Sequence, residues 1–432
     1  MLLVYIPKIS PRACYIIKLM CQNIIGINTQ FTYSPEEFSS YDGPKINYST
    51  RLIQDEIFIY STGLLFESTI KSFDVVVSQT EGYPMLFPVH DKQASLPFDV
   101  FSAAFFLVSR YEEYLPSIKD KFGRFDAKES LAFKNGFLQK PLVNIWAEKL
   151  KAILSQRYPA LQFPARHYKH VPSIDIDLAW VFKHKGFIRS LGGFYKSLAK
   201  RNFKEFAQRL RVILNKEADP FDSYDYLLES QKKFGFEPIY FILLADYALM
   251  DKNTPNNNQQ FHSLIKRLGD YATVGIHPSY ASNFFPDKLG IETERLSLIL
   301  SKEIIHSRQH FLMLDLPLTY RNLINFGIRN DYTKGYASEI GFRASICTAF
   351  NFYDLELNKE TQLIVHPFAV MDGTLRDYYN VDATSALSFI IPLIEECKSV
   401  NGTFISLWHN ESLSESGRWN GWRNVFEKMF NI

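Results

Sequence analysis

Four apolar runs beyond residue 168 share one ending: a chemically capable polar residue, then a loop. They are His170-Val171-Pro172-Ser173-Ile174 before Asp175-Ile176-Asp177, Thr273-Val274-Gly275-Ile276 before His277-Pro278-Ser279, Leu363-Ile364-Val365 before His366-Pro367, and Phe404-Ile405-Ser406-Leu407-Trp408 before His409-Asn410. Helical patterns fall between them, at 258–268, 292–306 and 318–326, with further strand-like runs at 239–244 and 311–314. Strands that alternate with helices pack as a parallel sheet or barrel, and residues at the carboxyl ends of such strands converge on one site. A few polar residues at these points therefore outweigh their number.

The pair Asp175 and Asp177 carries the most chemistry. On an extended strand, side chains two residues apart point the same way. Two carboxylates on one face repel unless a metal ion or a shared proton relieves them. The spacing therefore predicts a divalent metal site in which one Asp is ligand and the other base, against the plainer reading of a solvated pair at a strand end.

At 432 residues, with 46% hydrophobic and 15% aromatic content, the chain is long enough for two domains. The division falls near 160–170, where the two prolines of the stretch 158–166 follow a helical pattern over 143–157. Before it, strand-like pieces at 2–6, 56–60 and 75–77 and an aromatic-rich helix over 100–114 predict a smaller α+β domain, residues 1–165. Residues 168–432 read as the α/β part. A net charge of +2 without a long basic run argues against a nucleic-acid partner. The locally basic stretch 183–204 reads as a solvated helix face, or as an attractor for an anionic glycan or lipid head group. Cys14, Cys21, Cys347 and Cys397 have no zinc-type spacing, and reduced thiols suit a cytosolic chain. The start lacks a signal-peptide pattern and no run of about 18 apolar residues occurs, so the expectation is a cytoplasmic protein without a transmembrane segment.

Taken in order over residues 168–432, these motifs resemble the NodB-like polysaccharide deacetylases of carbohydrate esterase family 4. The whole chain resembles a bacterial subgroup with an additional N-terminal domain, marked by segments 109–114 and 332–345 and by Trp408-His409-Asn410. The resemblance implies an irregular (β/α) barrel and a hydrolase that removes an N-acetyl or O-acetyl group from a sugar or polysaccharide intermediate, with a divalent metal, zinc first, as cofactor. It implies that Asp175 is the general base, Asp177 a metal ligand, His277 the first histidine ligand, Arg308 the residue that orients the base, and His409 the general acid. The family's second metal histidine would fall at position 281, which is Ala281 here. Zinc needs three protein donors beside an open position, so His310, ahead of His366 or Ser279, is the expected third ligand. Trp408, Asn410, Tyr280 and Arg343 are the expected sugar-binding residues.

The remaining marked residues have structural readings. His366 hydrogen-bonds a loop, Asp331 orients a histidine or closes a turn, and Asp120, Gly123-Arg124-Phe125 and segment 109–114 fix the domain interface. Two other functions compete. One is a non-catalytic barrel that binds a glycan or a partner in surface-polysaccharide assembly. The other is a glycoside hydrolase, whose carboxylates stand roughly 5–10 Å apart, wider than adjacent positions on one strand face allow.

Overall fold

In the computed structural model, which describes residues 1–80 and 82–432, the first strands are β1 (Leu2–Tyr5), β2 (Thr29–Thr32), β3 (Lys45–Ser49) and β4 (Ile57–Tyr60). They form one sheet in the order β2-β1-β3-β4, and every pair is parallel. Parallel neighbours need crossovers, and the helix Pro11–Lys18, capped by the Ser10 side chain with Pro11 in its first turn, supplies one of them. The N-terminal part is thus of parallel α/β type where the sequence predicted α+β, because strand patterns do not reveal pairing direction. The piece expected at 75–77 becomes an antiparallel ribbon of β5 (Val77–Thr80) and β6 (Tyr83–Leu86). The helix expected over 100–114 runs only Val100–Val108, since Arg110 takes a left-handed φ of 55° and a 3-10 turn, Tyr111–Tyr114, follows.

The second sheet has nine strands: β7 (Lys169–Ile176), β8 (Ile239–Ile242), β9 (Thr273–Ile276), β10 (His306–Ser307), β11 (Asn330–Asp331), β12 (Phe350–Asp354), β13 (Lys359–Val365), β14 (Val370–Met371) and β15 (Thr403–His409). Their order is β12-β13-β11-β10-β9-β8-β7-β15-β14, parallel throughout except for the edge pair β12–β13. No ladder joins the two outer strands among the described residues, so the pairing leaves open the circle that a barrel would close. The sheet nevertheless curls. Phe241 on β8 touches Tyr332 beyond β11, with ring centroids 5.3 Å apart, and both join Ile405, Leu407 and Phe368 in a small inner core. Gly275 on β9 permits this crowding, because a Cβ there would lie 2.7 Å from the His306 carbonyl oxygen and 2.9 Å from the Phe241 ring.

The opposite face joins a larger core that runs unbroken into the N-terminal part. Tyr15 packs against Tyr353 with tilted rings 4.9 Å apart and donates its hydroxyl to the Asn351 carbonyl at 2.6 Å. The Asn144 side chain donates to Thr348 at 2.8 Å and accepts from the Cys347 N–H at 3.0 Å. Two segment expectations shift: the helix predicted at 292–306 is Pro286–Leu300, stopped by Ser301 at φ 54°, and the strand predicted at 311–314 lies earlier, as β10, because Phe311 and Leu312 turn through left-handed conformations.

Candidate active site and metal centre

The strand period aims Asp175 and Asp177 at the same side of β7, while Ile174 and Ile176 are buried in the main core. Asp175 Oδ1 accepts a hydrogen bond from Arg308 Nη1 at 2.9 Å, which leaves Oδ2 turned toward His277 Nε2 at 3.7 Å. Arg308, just past β10, is fully buried. Its Nε donates to the Tyr332 carbonyl at 3.0 Å and its guanidinium lies 4.6 Å from the Phe241 ring. A charged fork pinned on several sides holds the carboxylate aimed.

Three imidazoles converge on Asp177. His277 Nδ1 lies 2.6 Å from the Arg308 carbonyl oxygen, an acceptor only, so Nδ1 carries the proton and Nε2 faces Asp177 Oδ1 at 3.2 Å. His310 Nδ1 donates to Asp251 Oδ1 at 2.9 Å and its Nε2 faces Asp177 Oδ2 at 3.6 Å. His409, closing β15, is held at Nδ1 by Asp372 Oδ1 at 2.8 Å, while its backbone N–H donates to the other oxygen at 2.7 Å. Its Nε2 stands 3.9 Å from Asp177 Oδ2. Each ring is oriented from behind and presents its second nitrogen to the pocket.

The charges follow. Burial works against ionised Asp177, yet His310 and His277 hold it well below the usual carboxylate range. Burial would also lower His310, but Asp177 and Asp251 outweigh it and push it up to about 9. His409 is lowered by burial and raised more by Asp372, then by Asp177 and Asp175, ending well above the ordinary imidazole value.

The donor set fits a divalent ion. Asp177 Oδ1 is buried without a hydrogen-bond partner, although the side chain keeps 36% of its surface open. One ligand atom from each of Asp177, His277 and His310 lies within 4.8 Å of the others. A carboxylate oxygen and two imidazole nitrogens, each ring backed by an oxygen at Nδ1, match the three donors of an open catalytic site. Ala281, where the resemblance implies a histidine, contributes otherwise: its N–H and that of Tyr280 donate to the Asp251 carboxylate at 3.3 and 2.8 Å, and Asp251 is what holds His310.

Asp175, Asp177, His277, His310 and His409 line one open cleft of about 240 Å³. The expected sugar-binding residues fare differently. Trp408 points to the other face of β15, packed on Trp422 and Phe426, because neighbours on a strand alternate sides. Arg343 is buried away from the cleft, paired with Glu113 through Nε at 2.9 Å and Nη2 at 2.8 Å. Tyr280 leans on Phe284 and Phe311 outside the cleft lining. Asn410 does border the cleft, but its amide is engaged by the carbonyls of Leu178 and Phe221, both at 3.1 Å. His366 stacks on Tyr332 and bonds Asn330, and Asp331 accepts from Thr333, so neither reaches the centre.

Two contributors escaped the sequence reading, and a third was assigned only to the domain interface. Asp372 follows β14, a strand of only two residues, too short to register as an apolar run. Asp251 opens a polar loop with no pattern of its own. Arg124 comes from the N-terminal part, where a tight turn closed on Asp120 aims it at the cleft rim; its Nη1 donates to the Phe311 carbonyl at 2.6 Å.

A family model described as a family of unknown function (DUF7033) matches residues 2–159. No curated protein matches the chain. Among solved structures, the chain is similar to a protein from Mycobacterium smegmatis described as a polysaccharide deacetylase, at 11% identity and TM-score 0.42, over 63% of this chain and 87% of that one. It is also similar to the polysaccharide deacetylase Bc1974 from Bacillus cereus, at 10% identity and TM-score 0.28, over 61% of this chain and 89% of that one. A third similar structure is a mutant of BA3943, described as a CE4 family pseudoenzyme with restored enzymatic activity, at 10% identity and TM-score 0.27, over 61% and 64% of the two chains.

Proposed function

We propose that the chain is a metal-dependent hydrolase that removes an acetyl group, N- or O-linked, from a sugar or polysaccharide intermediate. The observation that carries this reading is the convergence of Asp177, His277 and His310 beside two separately supported proton-transfer groups, Asp175 with Arg308 and His409 with Asp372. Asp177, His277 and His310 would hold the ion, which when bound polarises an acyl carbonyl and makes water more acidic. Asp175 accepts the water proton at Oδ2, since Oδ1 is occupied by Arg308. The water oxygen joins the acyl carbon, the bond from that carbon to nitrogen or oxygen breaks, and His409 Nε2 gives its proton to the leaving atom.

In this reading residues 168–432 carry the chemistry as an irregular barrel, and residues 1–165 are a second unit that supplies Arg124 to the cleft rim. The rival non-catalytic reading rested on Ala281, and His310 removes its main support by offering the third donor from another strand end.

The test is acetate release from a panel of N-acetylated and O-acetylated oligosaccharides by zinc-loaded protein, with metal content measured alongside. Asp175→Asn is expected to abolish turnover with metal retained, and His310→Ala to lower metal content and turnover together. Full metal occupancy without acetate release from any substrate, or unchanged metal content in His310→Ala, overturns the assignment.

A further inference from the structure

Between β7 and β8 the chain inserts a helical hairpin, Phe187–Ala199 and Phe203–Ile213, whose apolar face points the wrong way for a soluble helix. Phe187, Ile188 and Tyr195 are 78%, 84% and 76% exposed, with Leu191 and Leu198 also exposed. At about 100° per residue these five fall within one stripe roughly 100° wide. On the second helix Phe203 is 66% exposed, and Leu210 and Leu214 continue its outward side. The inward side is narrow: Phe194 packs edge-on against Phe206 with ring centroids 5.0 Å apart, Gly193 abuts the Arg209 guanidinium, and Ser197 donates to Glu205 at 3.0 Å. The hairpin is fixed at its base, where the Asp219 carboxylate accepts the N–H groups of Val181, Phe182 and Lys183 at 2.8–2.9 Å.

The charge is as uneven as the hydrophobicity. Residues 183–216 hold ten Lys and Arg against one Glu, in a chain whose net charge is only +2. Lys196, Lys200, Arg201 and Lys204 are exposed and form no ion pair among the described residues. An apolar stripe with aromatic residues, flanked by unpaired cations, is the pattern of a helix that lies in a bilayer interface, apolar side among the acyl chains and cations at the head groups. A second copy would set this positive surface against itself. A nucleic acid would leave the aliphatic stripe without a use.

We infer that this hairpin docks the protein on an anionic phospholipid surface. The hairpin leaves β7 directly after Asp175 and Asp177, so docking brings the cleft end of the sheet toward the membrane. Exposed Tyr247, on the loop after β8 and 4.1 Å from the Arg189 guanidinium, extends the same rim. The inference stands apart from the hydrolase reading, since nothing in it depends on turnover.

The experiment is co-sedimentation of the full chain with vesicles of phosphatidylcholine alone or mixed with phosphatidylglycerol, with light scattering of the free protein. Wild type is expected to bind only the mixed vesicles, less tightly as salt rises. Each cation near the surface changes partitioning about five-fold, so Lys196→Glu, Lys200→Glu and Lys204→Glu together are expected to weaken binding on the order of 100-fold or more. Phe187→Ser, Ile188→Ser and Tyr195→Ser together are expected to abolish it, and thermal melting should be unchanged in both, because all six side chains are exposed. The inference is overturned by absence of vesicle binding in wild type, by binding that survives the apolar substitutions, or by a dimer that those substitutions dissociate. Binding of nucleic acid in place of vesicles overturns it as well.

Discussion

His409 illustrates how a single residue acquires a role from what stands behind it. The ring alone is an ordinary imidazole at a strand end. Asp372 grips both its Nδ1 and its backbone N–H, fixing tautomer, orientation and charge in one contact pair. Asp372→Asn keeps the shape and one acceptor but removes the charge. We expect kcat for deacetylation to fall about 10- to 100-fold with metal content unchanged, measured by steady-state acetate release and metal analysis. A parallel loss of metal would place Asp372 in the metal site instead. At this scale the sequence was readable where a residue terminates a long apolar run, as Asp175, Asp177, His277 and His409 do. It was silent where the partner sits on a loop, as Asp251 does, and misleading for Trp408, whose neighbour His409 faces the cleft and therefore sends Trp408 to the other side.

Among elements, the turn Tyr111–Tyr114 and the loop between β11 and β12 are tied by a buried charge cluster. Arg110 donates to the Arg343 carbonyl and to the Tyr336 hydroxyl, and Glu113 bridges Arg110 at 2.6 Å and Arg343 at 2.8 Å. Burial opposes charge on Glu113, yet Arg343 and Arg110 hold its carboxyl far below the usual range. The sequence placed segment 109–114 at an interface without finding its counterpart, because the cluster joins residues more than two hundred positions apart. Removing the shared anion leaves the buried Arg343 without its carboxylate and Arg110 with Glu112 alone, and breaking such a buried pair costs about 3–5 kcal/mol. Glu113→Gln is therefore expected to lower the denaturation midpoint by a correspondingly large step, read by chemical unfolding. A change below about 1 kcal/mol would mean that water enters the cluster and the parts are less tightly joined than their contacts indicate. The short strands β10, β11 and β14 belong to the same lesson: two-residue strands carry no period, and only the sheet around them defines them.

For the whole molecule, the alternation of strands and helices was enough to foresee a largely parallel sheet with its polar strand ends gathered at one side, whereas the direction of the N-terminal strands was not, since parallel and antiparallel pairing use the same residues. The cost of welding both parts into one core is visible in Lys334, which the join buries completely. Its ammonium lies 5.1 Å from the Tyr320 ring. Burial is the leading cause of its low pKa, and although Glu113 pulls the other way, Arg343 and Arg110 add to the lowering; the result is pushed down to about 7 from the usual 10.5. Between those two values the unfolded chain binds a proton that the folded chain does not, so folding stability rises with pH across that window, by at most about 1.4 kcal/mol per unit. Below pH 7 the penalty is present in full. Lys334→Met removes the titrating group while filling similar space. We expect the variant to be more stable than wild type at pH 7 and the advantage to shrink by about 1–3 kcal/mol by pH 9, measured as the difference in unfolding free energy so that other titrating groups cancel. A difference that stays flat over this range would mean that Lys334 keeps its proton in the fold, stabilised by Glu113 and Asp331 more than burial and the two arginines oppose it.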